Sequence, residues 1–461
     1  MILMLAAGVP ASAQSDQQKT RVFTLEEAVD FALKNYPAVR ASVERVHATE
    51  AGVGVARTSY LPRTDILWQV NRATDNNVTG LVIPNSVTAP ITGPVTTPPS
   101  NQSAWGTACG LLFSWEPLDF GYRGAKVDAA RAANNRAAAE AALTRLDVSI
   151  ATVNAYLTLL AAEQTVRAAQ ADVERRETFT KSVHVLVDNQ LRAGADASRA
   201  DAELARARVN LARAQQQAGI SRAALANLLG IADQTVEVQE SAAFGALPAT
   251  APPATALSGN PIAEAQQARV QESQSLVRAL DRSYYPKLYL QSVVMGRGSG
   301  LDPSGKFLGG TTGLGPDREN WATAVTVTFP FFDIFSIKLK KAVEAANERT
   351  EEARYDQSLQ DLTGQLRRAQ ASLEGARKVA ENTPLELDAA RTTETQERAR
   401  YQAGLATLVD VSDAQSLLVQ AEIDDSLARL AVWQNLASVA AAQGDLAPFL
   451  QSLREAAPGA R

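Results

Sequence analysis

Along this chain the spacing of apolar and polar positions changes period in a fixed order, and the order occurs twice. Trp105, Thr107, Cys109, Leu111, Phe113 and Trp115 alternate with Gly106, Ala108, Gly110, Ser114 and Glu116, with Leu112 the exception. Trp321, Thr323, Val325, Val327 and Phe329 oppose Ala322, Ala324, Thr326 and Thr328 in the same way. A period of two predicts strands with one apolar and one small or polar face. Weaker alternation over Asp65–Arg72 and Lys287–Met295 predicts a partner for each. Between the strand pairs the chain is alanine-rich and helical in period. One proline-free run extends from Phe120 to Leu191, and a second from Ile334 to Gln402 contains Pro384. At 1.5 Å per residue the first reaches roughly 108 Å. Pro384 predicts a bend or irregularity, because proline has no N–H for the i→i−4 bond. Return helices are expected over Arg199–Leu229 and Asp410–Gln443.

The doubling is visible in the letters. "NYPAVRASVERVHATEAGVGVARTSYLPR" in the first half answers "NPIAEAQQARVQESQSLVRALDRSYYPK" in the second; Pro37 to Pro62 spans 25 positions, as does Pro261 to Pro286. Each window is a helical stretch bracketed by prolines and closed by Ser-Tyr and a basic residue. The predicted organisation is a signal-peptide remnant over 1–13, a first structural repeat over 14–246, a Pro/Ala-rich linker over 247–260, a second repeat over 261–446 and a tail over 447–461. The remnant ends in Ala11-Ser12-Ala13, the small-x-small pattern of a cleavage site, which sets the mature start near Gln14.

Two turns join the long helices. Gly194 precedes Ser198-Arg199-Ala200-Asp201, and Gly404 precedes Thr407-Leu408-Val409-Asp410. Both read as a turn glycine followed by a capping box, with the first loop one residue longer. The long stretches Ala73–Ala104 and Gly296–Asn320, rich in Gly, Thr, Pro and Asn, exceed ordinary hairpin length but match the outer loops of a membrane barrel. Alternation alone fits a half-buried sheet or a membrane wall. Four strands cannot close a barrel, and lipid does not tolerate open edges, so the membrane reading requires an oligomer.

Composition narrows the chemistry. The chain is 46% hydrophobic and 21% charged with a net charge of −5, which gives no basic stripe for nucleic acid. One cysteine, Cys109, and two histidines, His47 and His184, exclude a disulfide framework, a cysteine zinc site and a His-rich metal centre. "GLDPSGKF" ends in Phe307 where a phosphate loop needs Ser or Thr, and "GVGVAR" at Gly52 lacks a preceding strand. No nucleophile–base pair stands out, so no enzyme, catalytic residue, cofactor or metal is expected.

The motifs "TLEEAVDFALKNYP", "SYLPR" with "SYYPK", "WEPLDFG" with "FPFFDIF", "LRAGADASRAD", "YQAGLATLVDVSDAQ", "LANLLG" and "LASVAAAQGDL", in this order across residues 22–446, resemble the TolC-like outer-membrane efflux protein family. The resemblance implies a homotrimer in which each protomer gives four strands to a 12-stranded outer-membrane β-barrel. A long periplasmic α-helical barrel continues it, with a mixed equatorial domain around the linker. It further implies a passive duct in the outer membrane of a Gram-negative-type cell, opened by a periplasmic adaptor protein and an inner-membrane pump. Asp410 and Asp413 match aspartates of the periplasmic constriction, and Tyr401 matches a tyrosine in the network that closes it. Arg192, Gly194, Gln402 and Gly404 would form the adaptor-contacting tips. From their places in the strands, Trp105 and Trp321 at strand starts and Trp115 at a strand end read either as girdle residues at the outer-membrane lipid interface or as ordinary sheet-packing tryptophans. The chain departs from the pattern at Ala406, where well-known relatives carry a basic residue. The rival reading is a periplasmic helical-hairpin adaptor or scaffold without a pore.

Overall fold

The computed structural model describes residues 20–74, 102–248, 257–302, 304 and 306–456. The signal-like segment, most of the 73–104 loop, residues 249–256 of the linker and the last five residues of the tail lie outside them. In chain order the elements are β1 (Arg21–Phe23), α1 (Leu25–Asn35), α2 (Pro37–Thr58), β2 (Arg63–Thr74), β3 (Ser103–Leu118), α3 (Tyr122–Asp188), α4 (Gly194–Leu228), β4 (Val236–Val238), α5 (Pro261–Arg282), β5 (Lys287–Ser299), β6 (Arg318–Thr328), α6 (Asp333–Gln402), α7 (Leu408–Gln443) and α8 (Ala447–Ala456). The two proline-bracketed windows become α2 and α5, each of 22 residues and each opening on its proline, where the missing N–H has no partner to lose.

Several boundaries differ from the pattern's prediction. Helix α6 is continuous through Pro384, with Ala380 and Ala390 buried on either side of it. Helix α4 begins at Gly194, five residues before the expected Arg199. Strand β5 extends to Ser299, and a bridge between Leu301 and Phe307 continues into the stretch expected to be loop. No helix among the described residues is long and apolar enough to cross a membrane.

The chain divides into two compact units, and each draws on both repeats. One comprises Met1–Val46, Ala137–Gln267 and Ala353–Arg461; the other comprises His47–Arg136 and Ala268–Glu352. In the first, Thr24 caps α1 in a reciprocal box: Glu27 N–H donates to Thr24 Oγ1 at 3.3 Å and Thr24 N–H to Glu27 Oε2 at 3.0 Å. Strands β1 and β4 pair in parallel, and the buried Tyr156 hydroxyl fastens them, 2.6 Å from the Gln239 carbonyl and 3.2 Å from that of Phe23. Trp433 is wholly buried between Phe244 and Phe449, and its indole N–H donates to the Ala246 carbonyl at 3.1 Å. Truncating a core aromatic of this kind costs about 3–5 kcal/mol.

The second unit holds an antiparallel sheet of order β2-β3-β5-β6. Its register sorts the strands into two chemically distinct faces. Ile66, Leu111, Val294 and Trp321 form one rung across all four strands, and each is exposed, Ile66 by 81% and Trp321 by 78%. Trp68, Val70, Phe113, Trp115, Leu290, Val325 and Val327 share that face. Arg63, Asp65, Gln69, Asn71, Ser114, Gln291, Arg297, Arg318 and Asn320 take the other, with Leu67, Leu112, Val293 and Met295 among them. The register slips between Trp115 and Leu118, where Pro117 removes a ladder donor. Asp119 then anchors the start of α3, accepting from the backbone N–H groups of Gly121 at 3.1 Å and Arg123 at 2.6 Å and from Arg123 Nε at 2.9 Å.

Of the three expected interface tryptophans, Trp105 lies under the Arg72 guanidinium, 5.2 Å from ring to Cζ. Trp115 donates its indole N–H to the Tyr60 carbonyl at 3.1 Å. Trp321 is the β6 member of the exposed rung and stands within the strand opposite Val294. Trp68, 76% exposed on the same face, escaped the sequence reading because β2 alternates weakly.

Candidate functional site at the hairpin tips

In the first unit, α3–α4 and α6–α7 form two helical hairpins whose turns share one backbone frame. Each outgoing helix ends in a left-handed residue two positions beyond its last turn: Gln190 at φ 58° and Gly404 at φ 78°. Each turn closes by the same pair of bonds. Leu191 N–H donates to the Leu186 carbonyl and Leu405 N–H to that of Arg400, both at 2.8 Å. Gln190 N–H donates to the Val187 carbonyl at 2.9 Å and Gly404 N–H to that of Tyr401 at 3.0 Å. This is the Schellman arrangement. Extended N-caps follow at Ala193 and Thr407. The equivalences are Gln190 with Gly404, Ala193 with Thr407 and Asp196 with Asp410, at one constant offset (404 − 190, 407 − 193 and 410 − 196 are all 214).

Two sequence expectations are corrected by this frame. Gly194 is not the turn residue: it opens α4 in ordinary helical conformation, and a Cβ there would meet nothing. Ser198 and Asp201 do not form a capping box, because both lie inside α4, which starts one turn earlier than that box would place it. With the left-handed residue correctly placed, the two loops are equal in length. Gln190 carries no glycine-like signal, which is why the first turn was misread; a left-handed conformation is uncommon for a side chain of this kind.

The frame is shared, but the chemistry is not. At the second tip Thr407 and Asp410 form a full capping box. Thr407 N–H and Oγ1 each lie 2.8 Å from Asp410 Oδ2, and Asp410 N–H donates back to Thr407 Oγ1 at 3.3 Å. The backbone and hydroxyl bonds from Thr407 hold the Asp410 carboxyl below its usual range, with a smaller pull from Arg400. Asp413 is exposed one turn further along α7. At the first tip Ala193 has no side chain with which to cap. Asp196, the counterpart of Asp410, receives the Tyr401 hydroxyl at 3.4 Å instead.

Tyr401 is therefore the joint between the hairpins. It is 1% exposed, packed edge-on to Phe179 at 5.4 Å between ring centroids. The Arg192 guanidinium covers its ring at 4.3 Å and donates from Nη2 to its backbone carbonyl at 2.5 Å. Val183, Ala200, Ala406, Leu408 and Val411 complete the cluster. Burial, and then the Asp196 charge, push the Tyr401 phenol up, so it remains a hydrogen-bond donor at neutral pH. Gln402 is exposed and lines a 650 Å³ groove with Phe179, Arg175 and Arg398. The tip residues expected from sequence thus come together in one unit, while the three tryptophans belong to the other.

Sequence reasoning missed Asp196 and Phe179, and it missed a buried network higher on the same hairpins. Arg176 Nε lies 3.0 Å from both Asp172 carboxylate oxygens, and its Nη2 donates to Ser416 Oγ at 3.1 Å, tying α3 to α7. Among the described residues no cluster of His, Cys, Asp or Glu has the makings of a metal site.

Residues 28–231 and 253–445 match the family described as outer membrane efflux protein, and the chain belongs to that family. It is similar to Protein CyaE of Bordetella pertussis (strain Tohama I), with 26% identity over 409 residues that cover 85% of this chain and 78% of CyaE. Its fold is similar to that of CusC, with a TM-score of 0.76, 14% identity and coverage of 91% and 92% of the two chains. The Campylobacter jejuni CmeC outer membrane channel gives a TM-score of 0.72 with 18% identity, over 91% of this chain and 85% of CmeC. This chain shares its fold, a four-stranded antiparallel sheet with long helical hairpins, with these channels. The protein resides in the outer membrane with its helices in the periplasm.

Proposed function

We propose that this member of the outer membrane efflux protein family is the exit duct of a tripartite efflux or secretion assembly. Three copies form one tube, and the hairpin tips hold its periplasmic end narrowed until an adaptor and an inner-membrane pump engage it. The observation that carries the reading is the buried Tyr401, which is bound to the first hairpin through Arg192 and Asp196 while rooted in the second. Opening separates those partners. Threefold symmetry turns Asp410 and Asp413 into rings of carboxylates, which draw cations to the constriction. Arg192 supplies the positive charge at this end, from the first hairpin, in place of the basic residue absent at Ala406. Arg192, Gly194, Gln402 and Gly404 form the surface that the adaptor meets.

The test is single-channel conductance of the purified trimer in planar bilayers, with Tyr401→Phe, Arg192→Ala, Asp410→Asn and Asp413→Asn. Larger conductance in the first two and weaker cation preference in the last two are expected. Stable pores indifferent to all four would reduce these residues to packing and capping. A well-folded trimer that forms no pore would return the scaffold reading to the front.

A further inference from the structure

At the loop end of the β5–β6 ladder the register places Arg297 directly opposite Arg318. Residues directly opposite on neighbouring antiparallel strands lie about 5 Å apart between Cα atoms, and like charges there repel. Neither arginine has a carboxylate partner among the described residues. Their rung continues through Ala108 to Gln69, so on the adjoining strand only a methyl group stands beside Arg297. Across the loop-proximal half of this face no described strand position is an acid. At the other end of the sheet the same face neutralises its arginine, since Arg63 pairs with Asp65 at 2.9 Å.

The face is identified by its chemistry. The opposite side carries the exposed rung of Ile66, Leu111, Val294 and Trp321, the apolar band that an outer-membrane wall turns to lipid. An outer-membrane barrel turns its apolar face to lipid and its polar face inward, so the Arg297–Arg318 side faces the lumen. Charged side chains that serve lipid headgroups belong on the apolar face, where Arg72 and Glu319 stand near the same rim.

Resting on the duct reading, we infer that Arg297 and Arg318 form an anion-selecting ring in the outer part of the channel, opposite in sign to the carboxylates of the periplasmic tips. Three copies place six guanidinium groups around one water-filled opening. Their field concentrates anions and excludes cations over about one Debye length at moderate salt. The ring fits inorganic or organic polyanions, and it gives the duct two charge filters in series. A passing solute with both a cationic and an anionic group meets a complementary surface at each end.

The experiment compares the wild-type trimer with Arg297→Gln/Arg318→Gln in planar bilayers. In a KCl gradient near 0.1 M, the double variant should raise the potassium-to-chloride permeability ratio roughly threefold, and the difference should vanish near 1 M salt. Inorganic tripolyphosphate added from the loop side should block the wild type at roughly tenfold lower concentration than the variant. Arg297→Lys/Arg318→Lys should behave as wild type. If the double glutamine variant does not insert, Arg318→Gln alone, at the exposed position, carries the test with a smaller shift in the same direction. Unchanged permeability ratio and unchanged block in conducting variants would overturn the ring. Absence of any pore from the wild-type trimer would instead overturn the duct reading on which it rests.

Discussion

The two hairpin tips have the same backbone and different means of support. The second holds itself together: Gly404 occupies the left-handed position at little conformational cost, and Thr407 caps α7 with Asp410. The first has Gln190 in the left-handed position and Ala193 at the cap, so it forgoes both local devices. A side chain in that conformation costs about 1 kcal/mol more than glycine, and a missing Ser/Thr/Asp/Asn cap about another 1 kcal/mol. The first tip recovers order from outside, through Arg192 and Asp196 on Tyr401. Freed from capping by Ala193, the N3 aspartate of the first hairpin is available to bind the second. One frame thus gives a self-sufficient tip and a dependent one, and the dependent one changes most when the two part.

The largest effect that tests this contrast comes from Tyr401→Ala, which removes the shared joint. It should destabilise the tip cluster by about 3–5 kcal/mol. Amide exchange should quicken throughout residues 186–200, and less at 405–413; equal quickening at both tips would contradict the asymmetry. Next is Ala193→Thr, which copies the second tip's box onto the first. It should stabilise α4 by about 1 kcal/mol in thermal unfolding. Because it draws Asp196 back to the cap, it should also raise channel conductance, and the opposite signs of the two readouts are the test. Thr407→Ala should cost the second tip about 1 kcal/mol. It should also remove an acid dependence. The native Asp410 carboxyl lies below its ordinary value of 3.8, so its capping contribution is complete above that value and fades as pH falls through the lowered one. Acid unfolding of the tip, followed by amide exchange, should therefore lose this limb in the variant. The smallest expected effect is from Gln190→Gly, a gain of about 0.5–1 kcal/mol in thermal stability, which checks that the first turn is strained.

The repeat, the order of elements and the two-faced strands were legible in the sequence because each rests on many residues. The proline windows fixed α2 and α5, and the rigid alternation around Leu111 and Val325 fixed β3 and β6. Single-residue signals misled. Gly194 looked like the turn because glycine is the usual left-handed residue, yet Gln190 adopts that conformation and the closing bond from Leu191 to Leu186 makes it so. Ser198 and Asp201 had cap spacing but sat within a helix already begun. Pro384 lies within a helix that continues through it. At the site, Asp410 was legible as the box acid after Thr407, and Asp413 as one turn further along the same helix, whereas Tyr401 entered through the resemblance alone. Asp196 was not, because its role depends on a residue 205 positions away that only the fold brings near.

Among the described residues the sheet order leaves β2 and β6 each with one unpaired edge, and one face of the sheet carries a broad apolar band. A newly secreted protomer therefore carries two adhesive borders and an oily surface through an aqueous compartment. In the proposed trimer its edges find partners in further copies, because the bilayer accepts no open strand. Membrane entry and subunit association are consequently one event, steeply dependent on how many chains are present at once. A copy with a spoiled edge does not merely fail by itself. In the proposed trimer it withdraws sound copies from the pool, so that a defective copy expressed beside a good one would silence most of the channels made.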